Sequence, residues 1–342
     1  MPIRAQDIAI DLGTTNMMLY VRGKGIVINE PTAVVVEARD RRVVRAVGDE
    51  ARYLLGRTRD TLKAIRPIRY GNIADFDATV VMLRYFIRKA VGTSHLSKPK
   101  VLISIPAGLD EVSRKAIREA VQLAGARQVI FVEKPLAAAM GAGLPAYEPV
   151  GTMVVDLGGG TTDTAIISLG GIVVAQSVKV GGETMDQAIV DYLKKNSSML
   201  VGEETAEEIK IDLASADTTL TVNNTAMVRG FDLLSARVMN AEFTAAQAQD
   251  AVRDACQAIL TSIRWVLERT PPELASDIMR SGIHLTGGTA QLAGLDRMIA
   301  GAIGIPVSIA SNPTDATVMG MGYLLENPDM LAAVSRSVIN RF

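Results

Sequence analysis

One short pattern occurs twice in this chain and constrains its fold more than any other feature. An apolar run followed by Asp-Leu-Gly closes a predicted strand at Asp11-Leu12-Gly13, and the same pattern returns at Asp156-Leu157-Gly158. Each copy is followed by a Thr-containing turn and two more β-rich runs, which predicts a three-stranded antiparallel meander in both places. The return of the whole pattern in the second half of the chain indicates two halves of one design.

The β-rich runs of the two meanders follow the same order. They cover residues 7–11, 17–22 and 25–29 in the first half and 152–156, 164–169 and 171–180 in the second. Helical patterns and further strands follow each meander, which is typical of an α/β domain with helices on a mixed sheet. The chain has 342 residues, 48% of them hydrophobic, which is enough for two lobes.

Two helices are predicted together with their capping residues. The first covers 110–124, begins at Asp110 as its N-cap, ends at Gly125 and should pack on a strand over 101–105. Its apolar stripe is predicted at four residues with helical spacing, Val112, Ala116, Ala120 and Leu123. The second covers 244–269 and begins with a capping-box pair, Thr244 and Gln247.

Charge and cysteine content exclude several classes of protein. Lys and Arg number 36 and Asp and Glu number 37, so no positive field exists to hold a nucleic acid and no strong charge opposes self-association. One cysteine, Cys256 in a helical apolar pattern, indicates a buried thiol and a reducing compartment. No run approaches the ~20 apolar residues of a membrane span, and the first residues lack a signal-peptide core. We therefore expect a cytoplasmic protein that does not bind nucleic acid.

The turns after Asp11 and Asp156 have the composition of phosphate-binding loops. Glycines permit tight turns and close backbone approach, and Thr hydroxyls with successive N–H groups can face a phosphate. A single Gly-rich hairpin is usually only a turn, but two copies of one motif in one chain favour a shared site. The carboxylate before each turn would then face the cleft between the halves, where the pair could hold the waters of Mg²⁺.

Other phosphate-binding designs do not match the sequence. It has no GxxxxGK[ST] motif, and its Gly-rich hairpin turns lead into strands rather than into a helix, which disfavours Walker ATPases and dinucleotide-binding dehydrogenases. A third Gly cluster over 285–290 follows a predicted strand over 282–285 and precedes a helix. Either this cluster holds the base and ribose of a nucleotide, or it is an ordinary strand-to-helix turn.

Several stretches of the sequence resemble one known family. They occur in the order seen in the MreB family of bacterial actins and cover nearly the whole chain: IDLGTTN, VEKPLAAAMGAGLP, MVVDLGGGTTDTAIISLGG, VGGETMDQAI, GEETAEEIKIDL, LERTPPELASDIMRSGIHLTGG and PTDATVMGMGYLLE. The first and third are shared with actin, Hsp70 and sugar kinases, whereas TPPELASDI and RGKGIVINEP look specifically like MreB. The resemblance implies an α/β actin-like fold, with RNase H-like duplicated mixed sheets and flanking helices, in two lobes with two smaller inserted subdomains.

The resemblance also implies domain bounds, a function and partners. The bounds are 1–31, 77–146 and 315–342 for subdomain IA, 32–76 for IB, 147–185 and 245–314 for IIA, and 186–244 for IIB. The implied function is that of a cytoskeletal protein that hydrolyses ATP slowly and forms filaments organising cell-wall growth and cell shape. The implied partners are ATP or ADP, Mg²⁺, copies of the chain, cell-wall morphogenesis proteins and the inner face of the membrane near Leu96.

Site residues are implied by the matching motifs. Catalysis would belong to four acidic residues: Glu133 and Asp163, which orient the attacking water, and Asp11 and Asp156, which hold Mg²⁺ through water. The phosphate loops would be Thr14, Thr15 and Asn16, and Gly158, Gly159, Gly160, Thr161 and Thr162. The ribose and adenine contacts would be Gly181, Gly182, Glu207, Lys210, Gly287, Gly288, Thr289 and Ala290. From spacing alone, Glu207 and Lys210 could equally be a solvent-exposed pair on a helix.

Three residues depart from the family pattern. Lys134 replaces the second Glu of the EEP motif, Asp163 replaces a Glu, and Thr289 replaces the third Gly of LTGGG. These changes bear on the rate of hydrolysis. Lys134 is not expected to pair with Glu133, because neighbouring residues on a strand point to opposite faces.

Three other functions remain open at this point. A sugar or acetate kinase of the same superfamily would need a substrate pocket and a carboxylate base between the lobes, for which the sequence shows no separate motif. An Hsp70-like ATPase would carry a β-domain after the nucleotide lobes, whereas this chain ends at Phe342. A scaffold that does not hydrolyse ATP is the third alternative.

Overall fold

The computed structural model describes residues 6–92, 98–217 and 224–339. The predicted membrane contact at Leu96 lies outside these ranges. Within them, no helix combines the length and the apolar character needed to cross a bilayer.

The elements of the first half are, in chain order, β1 (Ile8–Leu12), β2 (Asn16–Val21), β3 (Gly25–Pro31), β4 (Val34–Glu37), β5 (Val44–Val47), α1 (Asp49–Tyr53), β6 (Leu62–Ile65), β7 (Ile68–Arg69), β8 (Asn72–Ile73), α2 (Phe76–Val91), β9 (Lys100–Ile105), α3 (Glu111–Ala124), β10 (Gln128–Glu133) and α4 (Lys134–Gly141). The second half continues with β11 (Thr152–Leu157), β12 (Thr162–Ser168), β13 (Gly171–Val178), α5 (Gly182–Ser197), β14 (Met199–Leu200), α6 (Glu203–Leu213), β15 (Thr225–Asp232), β16 (Arg237–Thr244), α7 (Ala245–Glu268), α8 (Pro272–Ser281), β17 (Ile283–Thr286), a 3₁₀ helix (Gly288–Gln291), α9 (Leu295–Ile303), β18 (Val307–Ile309), α10 (Ala316–Glu326) and α11 (Pro328–Ile339).

Two sheets with the same topology form the centre of the described molecule. The first has the strand order β10-β9-β1-β2-β3, and the second has the order β18-β17-β11-β12-β13. In each, a three-stranded antiparallel meander is extended by two parallel strands beside its first strand. The second and third strands of both meanders also share an irregularity in register, at Leu19/Tyr20 and at Ile166/Ile167. The duplication predicted from the sequence is confirmed.

Local sequence explains the predicted helices, with one correction. Asp110 accepts a hydrogen bond from the Ser113 backbone N–H, and Gly125 caps the end of α3, as predicted. The buried stripe of α3, however, is Ile117, Ala120, Val121 and Ala124, whereas Val112 and Leu123 are exposed. α2 lies beside α3 and covers the stripe that carries Ile117. The capping box of α7 at Thr244 and Gln247 is confirmed.

Two smaller sheets lie within the predicted insertions. Strands β5, β4 and β6 form one of them, with its own small core around Ala33, Val35, Ala46 and Ala51. Strands β14, β15 and β16 form the other. The predicted bound at residue 186 falls inside α5 rather than in a loop. The exact bounds of the four subdomains stay a prediction.

Strand alternation decides which side chains face the space between the lobes. In β1, Ile8, Ile10 and Leu12 belong to the core under α2 and α3, whereas Ala9 belongs to a core shared by both lobes. Since side chains two residues apart lie on one face, Asp11 projects from the same face as Ala9. In β11, Asp156 follows Val154 of the shared core in the same way.

The two lobes are joined where α4 crosses α10. Helix α10 packs on β1, β2 and β9 of the first sheet, and α4 packs on β11 and β12 of the second sheet as well as on β10 and β9 of the first. A β-carbon added at Gly141 would collide with the Ala316 carbonyl, and one added at Gly320 would collide with the Ala137 carbonyl and stand 2.7 Å from its carbon. The two backbones therefore touch, and only glycine allows this approach.

The close helix crossing predicts that alanine substitution of two helical glycines, Gly320 and Gly301, has opposite effects on stability. Gly320→Ala should lower the free energy of unfolding by about 1–3 kcal/mol, because the methyl group meets backbone that cannot move aside. Gly301→Ala on α9, where nothing lies within 4 Å of the added carbon, should instead raise it by about 0.5–1 kcal/mol. Urea unfolding followed by circular dichroism measures both changes. Equal effects of the two substitutions would contradict the close crossing.

Candidate functional site

The two Gly-Thr hairpins predicted from the sequence meet face to face. The β1–β2 turn carries Thr14 and Thr15, and the β11–β12 turn carries Gly159 and Gly160. A β-carbon at Gly159 would collide with the Thr15 hydroxyl, and one at Gly160 would stand 2.9 Å from the Thr14 β-carbon. The turns from the two lobes are thus in contact, and the glycines make the contact possible.

A cavity of about 490 Å³ lies beside these turns. Fifteen of the predicted site residues line it: Asp11, Thr14, Thr15, Asn16, Asp156, Gly158, Gly159, Gly160, Thr161, Gly182, Glu207, Lys210, Gly287, Gly288 and Thr289. The third Gly cluster joins the second hairpin directly, because the Thr289 hydroxyl donates to the Gly158 carbonyl at 2.9 Å. Segments that are far apart in the sequence therefore form one wall.

Five predicted site residues are not among those that line the cavity: Thr162, Gly181, Ala290, Asp163 and Glu133. Asp163 lies behind the second hairpin, fully buried, where its carboxylate accepts hydrogen bonds from the Ala107 N–H and the Thr161 hydroxyl. Burial raises the pKa of this carboxyl. Thr161 connects it to the cavity.

Glu133 and Lys134 have different surroundings, and the lysine rather than the glutamate lines the cavity. Glu133 ends β10 and interacts electrostatically with Arg114, whereas Lys134 begins α4 and lines the cavity. Lys134 pairs with Asp11 instead of Glu133, in agreement with the expectation that the two neighbours do not pair. Glu133 is not among the residues that line the cavity, and its role in orienting the attacking water stays a prediction.

Lys134 lies among three carboxylates at the inner end of the cavity. Its Nζ is 3.2 Å from Asp11 Oδ1, and Asp156 and Asp163 attract it as well. Only 7% of this lysine is exposed. Burial by itself lowers the pKa of Lys134, but the attraction of the three carboxylates outweighs it and raises the pKa. The three carboxylates therefore favour the charged form of this lysine.

The carboxylates are also held by hydroxyl groups. The Ser104 hydroxyl donates to Asp11 Oδ1 at 2.5 Å, and the Thr286 hydroxyl donates to Asp156 Oδ1 at 2.9 Å. Burial raises the pKa of Asp156 to about 6, although Lys134 acts in the opposite direction. These contacts fix the orientation of both acids at the ends of their strands.

Magnesium was predicted at Asp11 and Asp156, whose carboxylate oxygens are suitable partners for a hydrated Mg²⁺. In the structure Asp11 Oδ1 already contacts the ammonium group of Lys134 and the hydroxyl of Ser104. Across residues 6–92, 98–217 and 224–339, no group of three or more His, Cys, Asp or Glu side chains has the arrangement of a metal site. As arranged here, these residues fit an internal ammonium ion rather than a metal ion, and the magnesium site stays a prediction.

Comparison with known proteins identifies the family. The family model described as MreB/Mbl protein matches residues 5–333. The chain belongs to the MreB/Mbl family. The cell shape-determining protein Mbl of Bacillus subtilis is 43% identical over 327 residues, which are 96% of this chain and 98% of that protein. The cell shape-determining protein MreB of Escherichia coli is 44% identical over 330 residues, 95% of each chain.

A solved structure confirms the fold of this MreB/Mbl chain. The crystal structure of MreB5 of Spiroplasma citri bound to ADP superposes with a TM-score of 0.90 and 31% identity, and the match covers 97% of this chain and 99% of that one. The two-lobed actin-like α/β fold predicted from the sequence is therefore confirmed, as is the family resemblance.

The outer end of the cleft in this MreB/Mbl chain is closed by ion pairs between the lobes. Arg66 contacts Glu183 of α5 at 2.5 Å. Two further pairs, Arg52–Glu207 at 2.8 Å and Arg57–Glu204 at 2.9 Å, link α1 and the loop after it to α6. Glu207, a predicted nucleotide contact, is thus held from the opposite lobe.

Asp186 and Arg66 line the cavity but were not predicted as site residues, and Lys210 has partners other than the one considered from its spacing. Lys210 pairs with Asp186 at 2.7 Å and also donates to the Gly182 carbonyl at 3.3 Å, so it is not the solvent-exposed partner of Glu207. Asp186 lies one helical turn after Gly182, and this spacing is a signal that places it on the same side of α5. Arg66 lies in the first insertion, and nothing in its neighbouring sequence marks it.

The ion pairs differ in burial, which predicts different strengths. Arg66 and Glu183 are 17% and 21% exposed, whereas Arg57 and Glu204 are 49% and 54% exposed. A double-mutant cycle on Arg66→Gln and Glu183→Gln should give a coupling energy of about 1–2 kcal/mol. The matched cycle on Arg57→Gln and Glu204→Gln should give less than about 0.5 kcal/mol, because exposed pairs are screened. Unfolding free energies in urea provide both values, and equal couplings would contradict the role assigned to burial.

Proposed function

We propose that this chain binds ATP and ADP between its lobes and forms actin-like filaments that organise cell-wall growth and cell shape. The observation that carries the proposal is the contact between the two Gly-Thr hairpins, one from each copy of the duplicated sheet. Backbone N–H groups and Thr hydroxyls of such turns suit the oxygens of a di- or triphosphate. The ADP bound to MreB5 of Spiroplasma citri supports the same ligand here.

The remaining cavity wall suits the nucleoside. Gly287 and Gly288 expose backbone, and Lys210 with Ile211 of α6 forms a partly apolar face opposite them. Small ligand sites commonly combine apolar walls with a few well-placed polar groups. In this proposal the base and ribose lie between the third Gly cluster and α6, and the phosphates extend toward Lys134.

We further propose that the chain hydrolyses bound ATP, and we expect this hydrolysis to be slow. Orientation of the attacking water requires a hydrogen-bond acceptor on the cavity wall, and Lys134 is a donor. Thr161 offers an acceptor, since its hydroxyl donates to Asp163 at 3.0 Å and its oxygen can receive a water proton. We therefore assign water orientation to Thr161 supported by Asp163, in place of Glu133.

A substitution in the second hairpin tests nucleotide binding. Gly160→Ala should lower the affinity for a fluorescent ATP analogue by about tenfold or more. The added methyl group would push the two hairpins apart, and their N–H and hydroxyl groups would then no longer be placed to bind the phosphates together. The control is Gly171→Ala at the far β12–β13 turn, where the added carbon meets only ordinary contacts at 3.7 Å. Unchanged affinity in Gly160→Ala would remove the hairpins from the binding site.

We propose that nucleotide binding promotes filament formation by changing the angle between the two lobes. A ligand that contacts both hairpins favours the closed cleft, and the angle between the lobes changes the surfaces they present elsewhere. Head-to-tail contacts of identical subunits that do not close a ring extend into a filament. The names of the Bacillus subtilis and Escherichia coli relatives support a role in cell shape. Contacts with the membrane and with morphogenesis proteins, and a cytoplasmic location, are part of the same proposal.

The β15–β16 hairpin offers one candidate surface for the contact between subunits. It exposes several large apolar side chains, Met227, Phe231, Leu233, Leu234 and Val238. Clustered exposed apolar residues commonly mark protein contacts. A second copy of the chain is the occupant that the filament proposal requires.

Sedimentation of a concentration series with ATP tests assembly. Polymer should appear only above a critical concentration, because each filament end offers the same unsatisfied surface to the next subunit. Leu234→Asp should raise that concentration about tenfold or more, and the control Val112→Asp, at a similarly exposed apolar residue of α3, should leave it within about twofold. A chain that stays monomeric and phosphorylates a small sugar or acid would favour the kinase alternative.

A further inference from the structure

We propose that Lys134 binds the terminal phosphates of the nucleotide and supplies part of the positive charge that a divalent cation would otherwise supply. The inference rests on the nucleotide site proposed above. The inference specifies which group neutralises the negative charge of the phosphates. A nucleotide could bind in the cleft whether or not Lys134 has this role.

Lys134 lies where the phosphates of a bound nucleotide would reach it. Lys134 lines the same cavity as Thr14, Thr15 and the glycines of the second hairpin. Its Nζ lies at the inner end of that cavity, against Asp11 at the end of β1. A phosphate chain that follows the two hairpins inward therefore runs toward the ammonium group.

Asp11 and Asp156 line the cavity at this end, Asp163 lies buried behind Thr161, and each of the three carboxylates attracts Lys134. Without a cation, the three carboxylates would repel the phosphates of an entering nucleotide, and such repulsion is strong where water is excluded. One ammonium group offsets one of the three negative charges and also presents its own charge to the phosphates.

An ammonium group has three N–H donors and no acceptor, and the contact with Asp11 uses one of them. A lysine on a cavity wall can therefore hold a carboxylate and a phosphate oxygen at the same time. Lysine binds phosphate as a point charge, so the arrangement does not require a fixed planar geometry.

The inference predicts that ATP binding depends only weakly on divalent cations. Wild-type protein should bind a fluorescent ATP analogue in EDTA with an affinity within about tenfold of that in Mg²⁺. Lys134→Met should lose about tenfold to a hundredfold in EDTA, the range of one charge-assisted contact, and much less in Mg²⁺, where the added metal restores positive charge. Lys134→Arg should retain most of the binding in EDTA, because it keeps the charge.

Two controls separate this role from a structural one. Lys195→Met removes an exposed lysine of α5 and should leave both affinities unchanged. The affinity for adenosine, which has no phosphate, should be the same in wild type and in Lys134→Met. A thermal melt establishes that each variant is folded, and if Lys134→Met does not fold, the wild-type measurement in EDTA decides alone.

The possible outcomes are distinct. If wild-type protein binds the ATP analogue only with Mg²⁺, or if Lys134→Met lowers both affinities equally, the role assigned to Lys134 is wrong while nucleotide binding stands. If wild-type protein binds no nucleotide in either buffer, the proposed function itself is wrong. Weak metal dependence in wild type that becomes strong in Lys134→Met supports the inference.

Discussion

The crossing of α4 and α10 is the contact on which the rest of the structure depends. At Gly141 and Gly320 two helix backbones touch; α10 packs on the first central sheet, whereas α4 packs on strands of both central sheets. Because buried backbone in contact cannot yield without a shift of the whole helix, this crossing fixes the distance between the lobes on one side. The cleft opens on the opposite side of the same joint.

The cleft between the lobes has the rigid helix crossing on one side and ion pairs between the lobes on the other. This arrangement allows the cleft to open and close. The pairs Arg52–Glu207 and Arg57–Glu204 are partly exposed, and such pairs each contribute little to stability. They can break and form again at small cost, whereas the glycine crossing cannot. Rotation about the crossing, rather than separation of the lobes, is the motion that this distribution of strong and weak contacts allows.

Much of the fold could be predicted because its strongest signals are local. Turn glycines, alternating strands and capping residues act over a few positions, so the two meanders and α7 were predicted correctly. The apolar stripe of α3 was not, because two faces of that helix carry apolar residues and the neighbouring α2 selects between them. Strand alternation placed Glu133 and Lys134 on opposite sides but could not tell which side was the cleft. Which side faces the cleft depends on how β10 and α4 pack between the sheets. Arg66 could not be predicted either, because its partner Glu183 belongs to the other lobe and is far away in the sequence.

The position of Lys134 follows from the duplication itself. Asp11 and Asp156 stand at equivalent places in equivalent strands, so the repeated design brings two like charges to one point. Asp163, which pairs directly with Asp156 across the second meander, adds a third. Like charges that are buried together are costly unless a cation joins them. α4 starts where β10 ends, at the same inner end of the cleft, and its first residue is the lysine. A cation at the first turn of a helix opposes the helix dipole, so the local preference of α4 does not explain it, whereas the three carboxylates do. One side chain, Lys134, therefore offsets the charge of the buried carboxylates and also presents a positive charge to the cavity. It stands at the start of the helix whose other end forms the crossing with α10.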